Sequence, residues 1–406
     1  MTDPCKAPNL FSMEKIVFIS GKRTAFGSFG GSLKDLSATE LGVIATKATL
    51  QQAGVDPSKI DHVIFGNVVQ SGPDAAYLSR HIGLKSEIPV DRGAYIVNRL
   101  CGSGFQSWVN AVQMIKDGDG DIIIAGGVEQ MSAIPYVSRG ARWGGMRLGH
   151  SELEDLMTAA LTDAHIKMPM AITAENLALK YSISREQSDQ YSIQSQKRLN
   201  KALLEGDLKN EICPVVIEGK KGTVTFEKDE HPKPEATLEK IATMKPLFKK
   251  DGIVTAASSS GIVDGAAASL LMSETKAKEL GLKPMAEIVA YASVGCDPSI
   301  MGIGPAGAAR KALAKAGLNL SQMDIVEVNE AFAAQYLAVE KELGLDPART
   351  NRNGGAIAVG HPLGASGTRI MNSLVYQLKK SNADYALGAA CIGGGQGIAV
   401  IIKNRK

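Results

Sequence analysis

The sequence has few cysteines, and they follow no pattern typical of a disulfide-bonded or zinc-binding protein. Its 406 residues include five cysteines, namely Cys5, Cys101, Cys213, Cys296 and Cys391. An odd and widely spaced set of this kind excludes a disulfide framework and favours a reducing compartment. None of the spacings matches a zinc site. We therefore expect no metal site.

The sequence also lacks a charge excess and a long apolar run. Its formal net charge is +3, from 45 Lys and Arg against 42 Asp and Glu, which gives no indication that nucleic acid is a partner. No apolar segment reaches transmembrane length. Residues 1–11 are polar and include Asp3, unlike a secretory signal or a typical Arg-rich transit peptide. Residues 403–406 form no peroxisomal address.

Glycine is abundant, at 43 residues. Many glycines lie beside apolar runs, which indicates tight turns between strands and helices rather than a flexible linker. A chain of 406 residues is too long for one typical core, so we expect two domains or two fused halves.

An internal repeat at a constant offset of 263 residues relates the two halves. Residues 53–55, AGV, correspond to residues 316–318, AGL. The same offset pairs Ser58 with Ser321, Asp61 with Asp324, Val63 with Val326, Leu100 with Leu363, Ser103 with Ser366, Gly104 with Gly367 and Asp121 with Asp384. An ungapped register of this length indicates two copies of one structural unit.

Each copy of the repeat has the same predicted order of elements. The order is helix, buried strand, Gly-rich corner, helix and apolar strand. The segments are 37–52, 62–65, 105–116 and 122–125 in the first copy, and 306–316, 325–328, 368–379 and 386–389 in the second. The first helix begins with a capping box, Ser37 and Glu40. Alternating strands and helices predict α/β layers with a largely parallel sheet.

Residues 128–250, called the insertion below, have no partner in the repeat. They contain predicted helices at 173–181 and 184–203 and a run rich in Lys and Pro from 220 to 250. A long insertion on a rigid scaffold commonly carries substrate contacts. We therefore expect an N-terminal half at 1–127, the insertion at 128–250, a return to the N-terminal half at 251–285, and a C-terminal half at 286–406.

The first corner, residues 98–105, reads NRLCGSGF and is called the Cys101 corner. An apolar strand precedes it and a helix follows, so Cys101 is expected at a helix N-terminus among small residues. Free N–H groups and the helix dipole favour a thiolate there, which indicates a nucleophile. The alternative is a buried, inert cysteine.

The second corner, residues 360–367, reads GHPLGASG and is called the His361 corner. Two halves related by a twofold axis would bring the corners together at their interface. His361 would then lie near Cys101 and accept its proton, as an activated nucleophile requires. The alternative is a structural or solvent-facing histidine.

Two further segments carry reactive or polar side chains. Residues 391–397, CIGGGQG, place Cys391 before three glycines, whose uncovered N–H groups suit an oxyanion hole. Cys391 is a candidate acid/base, or else a bystander in a glycine-rich hairpin. Residues 329–333, NEAFA, place Asn329 at the end of a strand.

Together these segments resemble the thiolase family, and within it the mitochondrial 3-ketoacyl-CoA branch. The resemblance covers nearly the whole chain, and the segments that carry it are GKRTAFG at 21–27, NRLCGSG at 98–104, GGVEQMS at 126–132 and CIGGGQG at 391–397. The branch is indicated by RLCGSGFQS at 99–107 and CDPSIMGIGP at 296–305. The resemblance implies a thiolase-like α/β fold, with two repeated βαβαβαββ halves packed in layers and an inserted loop domain.

The resemblance also implies roles for individual residues. Cys101 is the acylated nucleophile, His361 activates it, and Cys391 exchanges the proton at the α-carbon. Asn329 holds a water that forms one oxyanion hole with His361, and the N–H groups of Cys101 and Gly393 form the other.

Binding residues follow in the same way. Ser260 matches a serine that touches the pantetheine arm of coenzyme A, although the family's Asn-Ala-Ser-Gly turn reads Ser258 to Gly261 here and Ala257 replaces a glycine. Lys233 matches a basic position near the nucleotide of coenzyme A, or else is a solvated surface charge. Met170 follows Pro169 in a segment that should border the acyl pocket.

The implied function is cleavage of 3-ketoacyl-CoA by CoA in fatty acid β-oxidation. Coenzyme A is then a substrate, and no cofactor is expected. An acetoacetyl-CoA thiolase is the first alternative, and a non-catalytic CoA- or lipid-binding protein of the same fold is the second. The expected assembly is a homodimer or homotetramer, in the mitochondrial matrix or alternatively in the cytoplasm.

Overall fold

The computed structural model describes residues 14–144, 148, 150, 152–219 and 222–406. The segment 1–11 and Cys5, discussed above, lie outside the described residues. The strands are β1 (Ile16–Thr24), β2 (Gly27–Ser28), β3 (His62–Gly66), β4 (Gly93–Val97), β5 (Ile122–Glu129), β6 (Tyr136–Val137), β7 (Glu154–Asp155), β8 (Thr162–Asp163), β9 (Met168–Pro169), β10 (Ile212–Cys213), β11 (Val215–Gly219), β12 (Gly222–Phe226), β13 (Val263–Ser273), β14 (Ala286–Gly295), β15 (Ile325–Val328), β16 (Tyr385–Ile392) and β17 (Gln396–Asn404).

The α-helices are α1 (Ala38–Ala53), α2 (Leu78–Lys85), α3 (Ser103–Asp117), α4 (Leu156–Ala160), α5 (Met170–Lys180), α6 (Arg185–Leu204), α7 (Leu238–Ala242), α8 (Glu274–Glu279), α9 (Gly304–Ala316), α10 (Ala333–Leu343), α11 (Ala356–Val359) and α12 (Leu363–Ser381). The predicted elements of both repeats are present. The capping box of Ser37 and Glu40 is formed at the start of α1. Helix α12 begins at Leu363, five residues before the predicted start, because Pro362 is its N-cap.

The main sheet is mixed, so the expectation of a largely parallel sheet is wrong. The strand order is β15-β16-β17-β14-β1-β13-β5-β3-β4, with β10 beside β1 and β2 beside β13. Strands pair in parallel at β3–β4, β3–β5 and β15–β16, whereas the five pairs from β16 to β5 are antiparallel. Only residues 393–395 join β16 to β17. A connection of that length permits a hairpin, whereas a parallel pair needs a crossover.

The helices pack in layers around the strands. Helices α1 and α2 cover the N-terminal strands, and α9 and α10 pack with the C-terminal ones. Helices α3 and α12 contact each other and lie against β5 and β16, so they form a central layer shared by both halves. Their buried side chains, including Phe105, Trp108 and Leu374, belong to one core cluster.

The two Gly-rich corners meet in this central layer, as the repeat predicts. Gly104 and Gly367, which correspond at the offset of the repeat, lie back to back. A Cβ on Gly104 would be 2.9 Å from the N atom of Gly367, and a Cβ on Gly367 would be 2.1 Å from the N atom of Phe105. The hydroxyl of Thr368 also donates to the Gly104 carbonyl at 3.1 Å. The absence of side chains lets the two helix N-termini approach this closely.

The insertion is tied to both halves by buried polar groups. Arg23 of β1 pairs with Asp229 and with Glu211, each at 2.7 Å. On the other side, Glu330 accepts the hydroxyls of Tyr191 and Ser195 from α6, each at 2.7 Å. Among the residues described, no helix is long and apolar enough to cross a bilayer.

Candidate active site

The Cys101 corner is a strained turn held by side-chain hydrogen bonds. Leu100 has φ of 45°, a left-handed conformation that costs energy for a residue with a side chain. The hydroxyl of Ser103 donates to the Leu100 carbonyl at 2.7 Å and accepts the Arg99 N–H at 2.8 Å. Asn98 accepts the Leu100 N–H at 3.0 Å. Strain kept by surrounding contacts is typical of functional sites.

The thiol of Cys101 is neutral at ordinary pH. Burial raises its pKa to about 11, although the N–H groups of Gly393 and of Cys101 itself act in the opposite direction. The negative charge of Glu129 raises the pKa further. The N–H groups therefore act in the expected direction, toward the thiolate, but desolvation acts more strongly against it. Cys101 needs a base.

His361 is oriented to serve as that base. Its main-chain N–H donates to the Gly261 carbonyl at 2.8 Å, and its Nδ1 lies 2.5 Å from the Ser366 hydroxyl. That hydroxyl donates its hydrogen to the Pro362 carbonyl at 2.9 Å, so it can only accept from Nδ1. Nδ1 therefore carries the ring hydrogen, and Nε2 keeps its lone pair.

His361 is neutral as well as correctly oriented. Burial, with a smaller contribution from the charge of Arg369, lowers its pKa to about 3. A neutral imidazole does not stabilise a thiolate by charge, but it accepts a proton when Cys101 attacks. The site thus begins as a neutral thiol and a neutral imidazole.

Asn329 faces the free nitrogen of His361. Its Nδ2 lies 3.4 Å from Nε2 of His361, and the residue is 1% exposed. Its Oδ1 is buried and has no hydrogen-bond partner among the described residues. A buried polar atom in this state is well suited to bind a water molecule or a polar group of a substrate.

Cys391 and Gly393 approach from the C-terminal half. Residues 393–395 form the hairpin between β16 and β17, and Gly394 and Gly395 each have φ of 80°. The segment is therefore a hairpin, and its Gly393 N–H reaches the thiol of Cys101. Cys391 is fully buried. Burial raises the pKa of its thiol well above the usual value, and Cys101 and Cys296 contribute in the same direction.

A cavity of about 710 Å³ lies beside His361. His361 lies in its wall, and most of the other lining side chains are apolar, among them Leu161, Met170 and Phe332. Ser260 also lines it. A concave apolar cavity with a few polar groups is the usual form of a ligand site.

Ser258, which departs from the family's turn, supports the turn beside the cavity. Its hydroxyl accepts the Thr255 N–H at 2.8 Å, and its carbonyl accepts the Ala333 N–H at 2.8 Å. The turn that carries Ser260 is therefore hydrogen-bonded to the segment that carries Asn329.

The structure brings together most, but not all, of the residues singled out in the sequence. His361, Met170 and Ser260 line the cavity. Asn329 lies beside His361, and Cys391 and the Gly393 N–H lie close enough to Cys101 to act on its thiol. Lys233 is exposed and does not line the cavity, whereas its neighbour His231 does.

Sequence reasoning assigned no role to Ser366 or Glu129. The repeat contained a signal for Ser366, because Ser366 corresponds to Ser103. Each hydroxyl donates to a carbonyl just before a helix, that of Leu100 or that of Pro362. Glu129 stands in the GGVEQMS segment, but its contacts come from distant parts of the chain and leave no local pattern.

Comparison with known proteins identifies the family. The sequence profile of the thiolase N-terminal domain matches residues 16–275, and that of the thiolase C-terminal domain matches residues 282–404. The chain belongs to the thiolase family. Thiolases are acyltransferases, and the chain is accordingly an acyltransferase.

Individual thiolases are similar over almost the whole chain. The chain is 52% identical over 389 residues to the mitochondrial 3-ketoacyl-CoA thiolase of Homo sapiens, covering 96% of this chain and 98% of the relative. It is 47% identical over 392 residues to an acetyl-CoA acetyltransferase of Pseudomonas aeruginosa, covering 96% and 99%. The crystal structure of human mitochondrial 3-ketoacyl-CoA thiolase in complex with CoA superposes with a TM-score of 0.93, at 52% identity, over 97% of this chain and 98% of that one.

Proposed function

We propose that this thiolase cleaves 3-ketoacyl-CoA with CoA, forming acetyl-CoA and an acyl-CoA shorter by two carbons. The observation that carries the proposal is the oriented imidazole of His361 in the wall of one apolar cavity, with the partnerless amide oxygen of Asn329 beside it. The thiols of Cys101 and Cys391 act on each other near the Gly393 N–H. The human relative is named for the same reaction class.

The first half-reaction breaks a carbon–carbon bond. Nε2 of His361 takes the proton of Cys101, and the sulfur attacks the 3-keto carbon. The bond between C2 and C3 then breaks, which leaves the acyl group on Cys101 as a thioester and acetyl-CoA as its enolate. Cys391 donates a proton to C2 of the enolate and becomes a thiolate.

The second half-reaction restores the enzyme. Cys391 takes the proton of the incoming CoA thiol, whose sulfur attacks the acyl-enzyme carbonyl. Collapse of the tetrahedral intermediate expels the Cys101 sulfur, which recovers its proton from His361. Each proton returns to its origin, so the cycle uses only the two CoA substrates, and every step is reversible.

Two sets of donors stabilise the developing oxygen charges. The N–H groups of Cys101 and Gly393, which flank the Cys101 thiol, receive the oxygen of the attacked carbonyl. His361, once protonated at Nε2, and a water held by Asn329 receive the thioester oxygen of the enolate. The partnerless Oδ1 of Asn329 supports this second assignment.

Coenzyme A is proposed to enter along the cavity. Ser260 would contact the pantetheine arm, and Met170 would border the acyl group near Cys391. Exposed Lys233 would meet the nucleotide phosphates outside the cavity, next to His231. The CoA complex of the human relative supports a CoA substrate.

Acetoacetyl-CoA is the alternative substrate, and the Pseudomonas relative is named for that chemistry. The size of the cavity and its apolar wall at Pro169 and Met170 favour longer chains. A non-catalytic CoA- or lipid-binding role would leave the ordered contacts of His361, Ser366 and Asn329 without a purpose.

The setting of the reaction follows from the relatives. The mitochondrial name of the human relative favours β-oxidation in the mitochondrial matrix over a cytoplasmic role.

A homodimer or homotetramer is proposed because β4 lies at one end of the strand order, where its outer backbone groups can pair with another chain. The division at 127, 250 and 285 is retained as a proposal, and the boundary between the two family profiles, after residue 275, supports the last of these.

The proposal is tested by incubating the enzyme with acyl-CoA, quenching the reaction and locating the acyl group by peptide mass mapping. The acyl group is expected on Cys101, and Cys101→Ser should carry none. Steady-state cleavage of 3-ketoacyl-CoA of increasing length then identifies the substrate. An acyl group on Cys391 or Cys296, or no acyl-enzyme at all, would contradict the mechanism.

A further inference from the structure

We infer that Glu129 is a positioning residue that sets the separation of the Cys101 corner from the His361 corner. The inference rests on the proposed function, because it concerns how the nucleophile and its base are kept together. Glu129 is the last residue of β5, the strand that leads from the N-terminal half into the insertion, and it is fully buried.

One oxygen of the Glu129 carboxylate holds the loop beneath Cys101. Oε1 accepts the N–H of Val69 at 3.0 Å and the side-chain amide of Asn67 at 3.1 Å. The next link is Val68, whose carbonyl accepts the side-chain amide of Asn98 at 3.0 Å. Asn98 in turn accepts the Leu100 N–H, one residue before the nucleophile. Glu129 is thus connected to the Cys101 corner through this loop.

The other oxygen holds the helix that follows His361. Oε2 accepts the N–H of Gly364 at 2.8 Å and that of Val68 at 3.1 Å. Gly364 lies in the first turn of α12, three residues after His361 and two before Ser366, which fixes the imidazole. A single carboxylate therefore bridges the two halves of the chain at the two catalytic corners.

The contacts of Glu129 need a carboxylate rather than any polar group. All of its partners are N–H donors, and among the ion pairs of the described residues none includes Glu129. Four donors converge on two oxygens, so an amide at this position would direct its NH₂ group at one set of N–H groups. Burial raises the pKa of Glu129 to about 7 even though these donors stabilise the charged form. A buried charge with no cationic partner lowers the stability of the fold. Glu129 is therefore better explained by a role in positioning the two corners than by a role in stabilising the protein.

Glu129→Gln separates positioning from packing because it preserves the size of the side chain. Its Oε1 can keep Asn67 and Val69, but its NH₂ then faces the N–H of Gly364, and the start of α12 must move. We expect kcat for 3-ketoacyl-CoA cleavage to fall by roughly 10- to 100-fold, the loss that misplacing a reacting group by about 1 Å causes. The KM for CoA should change by less than about threefold, because Glu129 itself does not line the cavity and Ser260, proposed to contact CoA, lies on a different segment.

The pH midpoint of Cys101 alkylation provides a second measurement, because a simple loss of packing would not shift this midpoint in the same direction. The titratable and charged groups that act on the site are Cys101, Cys391, Cys296, His361, Arg369 and Glu129 itself. The negative charge of Glu129 disfavours the Cys101 thiolate, so its removal should shift the alkylation midpoint of Cys101 by iodoacetamide to lower pH. Glu129→Gln should therefore make the thiolate easier to form while turnover slows.

Glu211→Gln is the matched control. Glu211 is equally buried, but it pairs with Arg23 and makes no hydrogen bond to either catalytic corner. If both variants lost the same activity in proportion to a lower melting temperature, or if Glu129→Gln kept wild-type kcat and midpoint, the positioning role would be refuted. Alkylation does not require turnover. A wild-type enzyme without thiolase activity would therefore overturn the proposed function, whereas the alkylation midpoint would still test the effect of Glu129.

Discussion

The side-chain nitrogen of Asn329 lies 3.4 Å from Nε2 of His361, while the oxygen of the same amide is buried without a partner. The amide thus faces the nitrogen that is to accept a proton and leaves an acceptor free for a water. Asn329 follows β15, and His361 precedes α12, so both come from the second copy of the repeat. Cys101, which they serve, comes from the first.

Asn329→Ala removes both the side-chain nitrogen that faces His361 and the oxygen that is free to bind a water. We expect kcat to fall by roughly 100- to 1000-fold, the usual loss for one oxyanion donor, with KM for the 3-ketoacyl-CoA nearly unchanged. Steady-state kinetics would measure the loss. Asn404→Ala is a suitable control, because Asn404 is also buried but bonds to Leu378 and Ala383. Comparable loss in both variants would show that Asn329 acts through stability.

His361→Ala should slow alkylation of Cys101 most strongly near neutral pH. Because burial raises the Cys101 pKa to about 11, little thiolate exists at pH 7, and alkylation there depends on a base that takes the thiol proton as the sulfur attacks. The pKa of His361 is lowered to about 3, so the imidazole stays an unprotonated base throughout this range. Above about pH 11 the thiol ionises unaided, and the two alkylation rates should converge. Equal rates at pH 7, with an intact circular dichroism spectrum, would mean that the N–H groups alone activate Cys101.

Cys391→Ser should separate the two thiols by function. Cys101 should still be acylated by acyl-CoA, whereas exchange of the acetyl-CoA α-protons with solvent should fall by at least about 100-fold, as expected for loss of a general acid/base. Deuterium incorporation followed by mass spectrometry measures the exchange. Cys213→Ser, a buried cysteine beside Arg23, is the control. Exchange at the wild-type rate in Cys391→Ser would refute the acid/base role.

Chain length should be set at Pro169, which lines the cavity beside Met170. Short-chain biosynthetic thiolases tend to carry a histidine at this position. A proline offers no donor, and each methylene buried against an apolar wall contributes about 0.8 kcal/mol. We expect kcat/KM for longer 3-ketoacyl-CoA to equal or exceed that for acetoacetyl-CoA, and Pro169→His to lower the ratio. A steady decrease with each added carbon in the wild type would instead indicate an acetoacetyl-CoA thiolase.

Gly127→Ala should destabilise the contact between β5 and α12. A Cβ at Gly127 would lie 1.9 Å from the carbonyl oxygen of Gly364, and backbone on both sides leaves no flexible atom to yield. We expect the free energy of unfolding to fall by at least about 2 kcal/mol, as for overpacked cores. Gly72→Ala is the control, since its Cβ would meet only a side chain at 3.5 Å. Equal stability of both variants in chemical denaturation would contradict this packing.

Much of the fold was predictable because it rests on local patterns. The capping box at Ser37 and the apolar runs of β3 and β15 depend on neighbours in the chain, and the repeat at 263 residues can be read by comparing the sequence with itself. The direction of the central strands was not predictable, because β13 and β17 reverse the sheet through connections whose outcome depends on pairing partners far away in sequence.

The sequence by itself determined which residues are the candidates for the chemistry. Cys101, His361, Cys391 and Asn329 stand in corners and strand ends whose residue types are readable without coordinates. Only the tertiary structure decided their states. Burial, which depends on the whole fold, makes Cys101 a neutral thiol despite its helix N-terminus. The Ser366 hydroxyl decides which nitrogen of His361 is free, and Glu129 accepts the N–H of Gly364, 235 residues away in the chain. Desolvation and long-range hydrogen bonds of this kind leave no pattern in a linear chain.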